Sequence, residues 1–160
     1  MAECIVQTPC GAVRGAEKDG LRLFRGIPYA VTERLERPVQ ITIWEGEFDA
    51  TEGEIDCWQY SSFRDDAKGE GAFFCREFRS GMEFSYAESP MTLNIVAPDG
   101  AKDAPVLIFI HGGGHETGTV GELPYGDCPV YAKEGIVFVS VGYRLNVFPS
   151  MRILTSACTT

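Results

Sequence analysis

Two short runs of apolar, largely β-branched residues do most to limit the folds open to this chain. They are Val106-Leu107-Ile108-Phe109-Ile110 and Ile136-Val137-Phe138-Val139-Ser140-Val141. A run that is apolar at consecutive positions has no solvent face, so it suits an interior strand of a sheet covered by helices. Between them, Pro129–Glu134 reads as a short helix, with Asp127 near its start. Strand, helical connection and strand at this spacing predict a βαβ unit and an α/β fold.

The rest of the chain is punctuated by turns. Cys4–Thr8 and Ala12–Arg14 flank Pro9-Cys10-Gly11, a hairpin signal. Leu21–Phe24 alternates weakly and leads into Gly26-Ile27-Pro28-Tyr29-Ala30. Residues 31–90 read as irregular, and the polar stretch Ser61–Gly71 as an exposed loop. Thr92–Ala97 is a short β-rich segment ended by the turn Pro98-Asp99-Gly100.

Composition excludes several classes. With 160 residues, 44% apolar and 23% charged, the chain can bury one core and is neither a disordered tail nor a fibrous protein. Net charge is 14 − 23 = −9, which offers no electrostatic footprint for nucleic acid or an anionic membrane. No run reaches the roughly 18 apolar residues of a spanning helix. The start, Met1-Ala2-Glu3-Cys4, has no basic or apolar leader region. The expected location is cytoplasmic. The six cysteines, at 4, 10, 57, 75, 128 and 158, form no CxxC pair and no zinc spacing, so reduced thiols are expected, with no metal and no cofactor.

The chemistry gathers where the first apolar run ends. His111-Gly112-Gly113-Gly114 follows Ile110 directly. Three glycines carry an entropic cost, and they let backbone N–H groups approach a bound group closely. The C-terminal edge of a strand in an α/β sheet is where ligands bind. Adjacent N–H groups aimed into a cleft there stabilise a developing oxyanion, as in the HGGG loop of lipases and esterases. A plain flexible turn is the competing reading. A phosphate loop is a weaker rival, because no Gly-Lys-Ser/Thr follows. His111 and His115 have an i, i+4 spacing that would suit a metal on a helix, but three intervening glycines argue against a helix.

These segments, in order, resemble the N-terminal part of type-B carboxylesterases, the group that includes p-nitrobenzyl esterases, cholinesterases and the non-enzymatic neuroligins. The resemblance runs from about Thr8 to Phe148. It is carried by the hairpin Thr8–Gly15, by Phe24-Arg25-Gly26-Ile27-Pro28-Tyr29-Ala30 and by Arg34-Leu35-Glu36-Arg37-Pro38. Trp44-Glu45-Gly46, Asp49-Ala50-Thr51, Leu93-Asn94-Ile95, His111–Gly118 and Val141-Gly142-Tyr143-Arg144-Leu145 continue it. The resemblance implies an incomplete α/β-hydrolase fold, made of an N-terminal β-hairpin region and the first strands of the central mixed sheet. It implies a serine acyl-transfer mechanism on a small-molecule ester, with Gly113 and Gly114 supplying oxyanion N–H groups and His111 bracing the loop. It also implies a partly buried ion pair between Arg34 and Glu88. An exposed pair is the alternative.

Four departures stand against that pattern. The nucleophile elbow Gly-x-Ser-x-Gly is absent, and its nearest approximation, Phe138–Gly142, lacks the first glycine and falls in a strand. The only histidines are His111 and His115, so the family's base is missing. Cys57 matches one partner of a family disulfide, but Pro90 stands where the other cysteine would be. After Phe148 the pattern stops, which divides the chain into residues 1–148 and a divergent tail, 149–160, and suggests truncation or a shifted frame. The expectation is a family member carrying the oxyanion loop without nucleophile, acid or base, inactive alone. The alternative is a non-catalytic fragment or interaction module. The family's sheet order would place Ile136–Val141 between Thr92–Ala97 and Val106–Ile110. That leaves Val106–Ile110 as an apolar edge through which the chain could associate.

Overall fold

The computed structural model describes residues 2–53, 55–59, 73, 85–88, 90–121 and 129–146. Strands β1 (Ala2–Thr8) and β2 (Gly11–Lys18) form the expected hairpin, paired from Ala2↔Glu17 to Thr8↔Gly11. The turn is closed by Thr8, whose Oγ1 donates to the Gly11 carbonyl at 2.8 Å and accepts from the Cys10 N–H at 3.2 Å. Trp44 seals it from outside by donating Nε1–H to the Ala12 carbonyl at 3.0 Å.

Strand β3 (Leu21–Pro28) pairs antiparallel with β2, and its register with a later strand slips between Phe24 and Ile27. Gly26 sits at that slip with φ +67°, and its N–H goes to the Asn94 side-chain oxygen at 3.0 Å instead of to the ladder. An extra residue here requires a left-handed backbone, which glycine adopts without steric cost. Asn94 is almost fully buried, so its amide exchanges solvent for this bond.

Residues 31–90, read as irregular, instead hold short strands among the described residues. Ala30–Val31 (β4) pairs with Val39–Gln40 (β5), Glu47–Asp49 (β6) pairs with β2, and Ile55–Cys57 (β7) pairs with Ser85–Ala87 (β8). Pairs of two or three residues show no periodicity that a sequence window can detect. Ser61–Gly71 lies outside the described residues, as do Asp127, Cys75, Cys128, Cys158 and the tail 149–160.

The C-terminal half follows the expected βαβ order. Strands β9 (Thr92–Pro98), β10 (Val106–Ile110) and β11 (Val137–Val141) surround a single described helix turn, α1 (Pro129–Lys133). Proline at the first helical position has no N–H to leave unpaired, and Gly135 at φ +84° ends the turn. The main sheet runs β1-β2-β3-β9-β11-β10, with β6 beside β2. Pairing of β10 with β11 is parallel and that of β11 with β9 antiparallel, so the sheet is mixed. As expected, β11 lies between β9 and β10.

Two cores form on this sheet. One gathers Cys4, Val13, Phe24 and Ala50 with Trp44, Phe48 and Ile95, and the other joins Leu21 and Val96 to Ala132 of α1. Burying an aliphatic side chain such as Val96 contributes roughly 1.5–3 kcal/mol relative to leaving it in water. The apolar composition of β10, taken alone, predicts an interior strand. In the structure it ends the sheet, with Val106 59%, Ile108 61% and Ile110 67% exposed. The reason is that α1 packs mainly on β9, β11 and β3, and no described element pairs with the free side of β10. Among the described residues no helix is long and apolar enough to cross a membrane.

Candidate functional site

β10 delivers the chain into His111 at the sheet's C-terminal edge, and the backbone then reverses through glycines. Gly113 has φ +116°, Gly114 +64° and Gly118 +122°. A side chain at Gly113 would collide with the Thr117 carbonyl, and one at Gly118 with the His111 ring. The Gly113 carbonyl accepts from the N–H groups of Glu116 (3.0 Å) and Thr117 (3.1 Å), which closes the turn. Gly112 through Glu116 are exposed, and neither the Gly113 nor the Gly114 N–H donates to another described residue. The loop is therefore a turn closed by the Glu116 and Thr117 N–H groups, with those of Gly113 and Gly114 in its exposed stretch and without a partner among the described residues.

His111 points the other way. It is buried, 7% exposed, and stacks on Tyr143 with ring centroids 4.4 Å apart and planes 13° from parallel. Its Nδ1 lies 2.9 Å from the Gly112 carbonyl. A carbonyl only accepts, so Nδ1 carries the proton of the neutral ring. Burial pushes the imidazole pKa down, which favours that neutral form near pH 7. The Tyr143 hydroxyl donates to the His111 carbonyl at 2.6 Å, and burial pushes its pKa up. His115 is held by backbone, its carbonyl accepting from the Asn146 N–H at 2.7 Å with its own φ at +62°. His111 and His115 thus do not share a helix face.

Behind the loop lies a polar layer, part-buried at Gln59 and buried at Asp56, Thr119 and Ser140. Gln59 exchanges two hydrogen bonds with Gly118, donating Nε2–H to its carbonyl at 2.7 Å and accepting its N–H at 2.8 Å. Thr119 donates to Asp56 at 2.5 Å and accepts from the Gly121 N–H at 3.1 Å. Ser140, the serine nearest to an elbow pattern, is 1% exposed in β11 and donates its hydroxyl to the Val120 carbonyl at 3.1 Å. That geometry gives it a packing role and leaves no free Oγ for attack.

Cys57 is a buried free thiol. Its sulfur accepts from the Leu145 N–H at 3.2 Å and lies 3.6 Å from the Glu88 carbonyl, to which the thiol donates. Burial pushes its pKa up, so it is an inert thiol. Arg34 and Glu88 come together, with Arg34 Nε donating to Glu88 Oε1. The arginine side chain is 70% exposed and the glutamate 33%, so the pair is more open to water than a partly buried one. Such pairs contribute about 0–1 kcal/mol.

Sequence reasoning singled out His111, Gly113 and Gly114, and the structure places all three in one loop. It assigned no role to Gln59, Asn94, Tyr143 or Asn146. Tyr143 lay within a recognised segment, but its bond to the His111 carbonyl spans 32 residues of sequence. Gln59 lay in a stretch with no periodic signal, and nothing in its spacing foretells a partner at Gly118.

The family model described as the carboxylesterase family matches residues 2–158. Gut esterase 1 of Caenorhabditis elegans is 34% identical over 149 residues, covering 89% of this chain and 24% of that protein. The para-nitrobenzyl esterase of Bacillus subtilis is 30% identical over 159 residues, covering 92% of this chain and 29% of that protein. A solved structure of PNB esterase superposes with a TM-score of 0.71 at 28% identity, over 90% of this chain and 28% of that one. The chain thus spans about a quarter of the length of these relatives, and its mixed sheet is a partial α/β-hydrolase fold. The chain belongs to the carboxylesterase family.

Proposed function

We propose that the loop from His111 to Gly118 is the oxyanion-binding half of a serine ester-hydrolase site. In this reading a serine oxygen attacks the ester carbonyl, and the carbonyl oxygen gains negative charge as the tetrahedral intermediate forms. The N–H groups of Gly113 and Gly114 donate to that oxygen, and His111 braces the loop from behind. One such donor is worth about 2.7–4 kcal/mol of transition-state stabilisation. The observation that carries the reading is the loop's construction. Two successive exposed glycines with positive φ follow the C-terminal end of a parallel strand, beside a buried histidine stacked on Tyr143.

The nucleophile and base are not among these 160 residues. No Gly-x-Ser-x-Gly occurs, the two histidines both belong to the loop region, and Ser140 is committed to Val120. Residues 1–160 alone therefore do not turn over an acyl-enzyme, and a small-molecule ester is the substrate only with a serine and histidine supplied from elsewhere. Cytoplasmic location is part of this reading, supported by the free thiol of Cys57 and by Pro90 at the sequence position of its usual family partner. A second reading, a non-catalytic interaction module, is favoured by the exposed apolar edge of β10. Reading the coding sequence beyond residue 160 in all frames separates the two. A Gly-x-Ser-x-Gly followed by a later histidine supports the hydrolase, and ester hydrolysis by the extended chain should then be measurable. Neither motif in any frame would leave the module.

A further inference from the structure

The segment that follows β7 reaches the loop from behind at two places. Gln59 makes its paired hydrogen bonds to Gly118, and a third, 3.3 Å long, ties its Nε2 to the Cys57 carbonyl. The neighbouring Trp58 carbonyl accepts from Asn146 Nδ2 at 2.9 Å, and the Asn146 N–H holds the His115 carbonyl at 2.7 Å. Cys57 itself is fixed by the Leu145 N–H. Residues 57–59 and 145–146 thus grip the loop at His115 and at Gly118.

From this geometry we infer that Gln59 is a positioning residue for the oxyanion loop, setting the direction of the Gly113 and Gly114 N–H groups through Gly118. The inference rests on reading that loop as the oxyanion site. Gly118 is the lever because it is packed against the His111 ring and the Gly112 carbonyl, where even a Cβ does not fit. Movement of Gly118 toward them displaces one of those two, and Gly112 is joined directly to Gly113. Glutamine suits the post because its amide presents a donor and an acceptor side by side, as a peptide group does. Glutamate keeps only the acceptor and sets a carboxylate oxygen against the Gly118 carbonyl. Leucine keeps neither.

The test is backbone amide NMR with hydrogen exchange on the 160-residue chain and its Gln59→Leu and Gln59→Glu variants, with a thermal melt of each. Gln59→Leu should speed exchange of the Gly118 N–H by on the order of five- to tenfold, the ratio expected for one lost hydrogen bond. It should also shift the Gly113 and Gly114 amide resonances. Gln59→Glu should keep Gly118 exchange slower than in the leucine variant and still shift Gly113 and Gly114. A lower melting temperature with unmoved Gly113 and Gly114 resonances would make Gln59 a merely structural residue and overturn the inference. Should neither variant fold, the unsubstituted chain decides. Gly118 exchange much slower than that of Gly113 and Gly114 supports the clamp, and equal exchange at all three overturns it. These readouts need neither ester nor nucleophile, so they stand or fall separately from the hydrolase reading.

Discussion

Replacing Gly118 by alanine, with Gly114→Ala as its control, puts the packing of the loop on a numerical footing. Both positions have positive φ, so each alanine carries a backbone penalty. At Gly114 (φ +64°) this is the left-handed helical region, costing about 1–2 kcal/mol for a residue with a Cβ. Nothing lies near a Cβ at Gly114, so the penalty ends there. Gly118 lies at φ +122°, and a Cβ would meet the Gly112 carbonyl oxygen at 2.5 Å and His111 Cε1 at 2.6 Å. The conformational term is then about 1–3 kcal/mol, and forcing the overlap adds about 1–3 kcal/mol. A chain of this size loses about 2–4 °C of melting temperature per kcal/mol. Gly114→Ala should therefore melt about 2–8 °C below the parent and Gly118→Ala about 4–24 °C below it, the difference between them being the cost of the overlap. Thermal unfolding followed by far-UV circular dichroism measures both. Equal shifts would refute the claim that the His111 ring is wedged against Gly118.

Three further outcomes follow from the same structure. The His111 pKa is lowered by burial, so between its folded value and the unfolded value near 6.5 the unfolded chain binds more protons. Stability from this group is complete above about pH 6.5 and declines as pH falls toward the folded pKa; His111→Gln should flatten that part of a plot of melting temperature against pH, and an unchanged slope counts against a buried neutral ring. Asn94→Leu removes the acceptor for the Gly26 N–H and should cost about 1–3 kcal/mol in urea unfolding; no change would mean the β3 bulge does not depend on that bond. Ile108→Lys places a charge at the centre of the open β10 edge and should shift a concentration-dependent elution profile toward monomer, whereas a parent chain that is already a monodisperse, cooperatively melting monomer contradicts the edge argument.

Periodicity and composition made the large strands legible. β1, β2, β9, β10 and β11 announce themselves by alternation or by apolar runs, and Pro9-Cys10-Gly11 and Pro98-Asp99-Gly100 by their turn residues. The order of β9, β11 and β10 was readable only through the family resemblance, because βαβ logic pairs β10 with β11 but says nothing about β9. What stayed hidden was long-range and polar. The Gly26–Asn94 bond spans 68 residues and the Gln59–Gly118 bonds span 59. Hydrogen bonds of that kind depend on three-dimensional approach, which neither hydrophobic period nor turn chemistry encodes. The exposure of β10 shows the converse limit. Its composition reports the burial an apolar strand favours, while its position at the sheet's end leaves that burial unmet by the described residues.

The loop is proposed to be the electrophile-stabilising half of an ester-hydrolase site in a chain with no competent nucleophile. Pre-steady-state hydrolysis of an activated nitrophenyl ester by purified residues 1–160, with intact mass taken at the end of the reaction, tests it most directly. No burst and an unchanged mass are expected. A burst of one equivalent, with an acyl group retained on any serine, would contradict it.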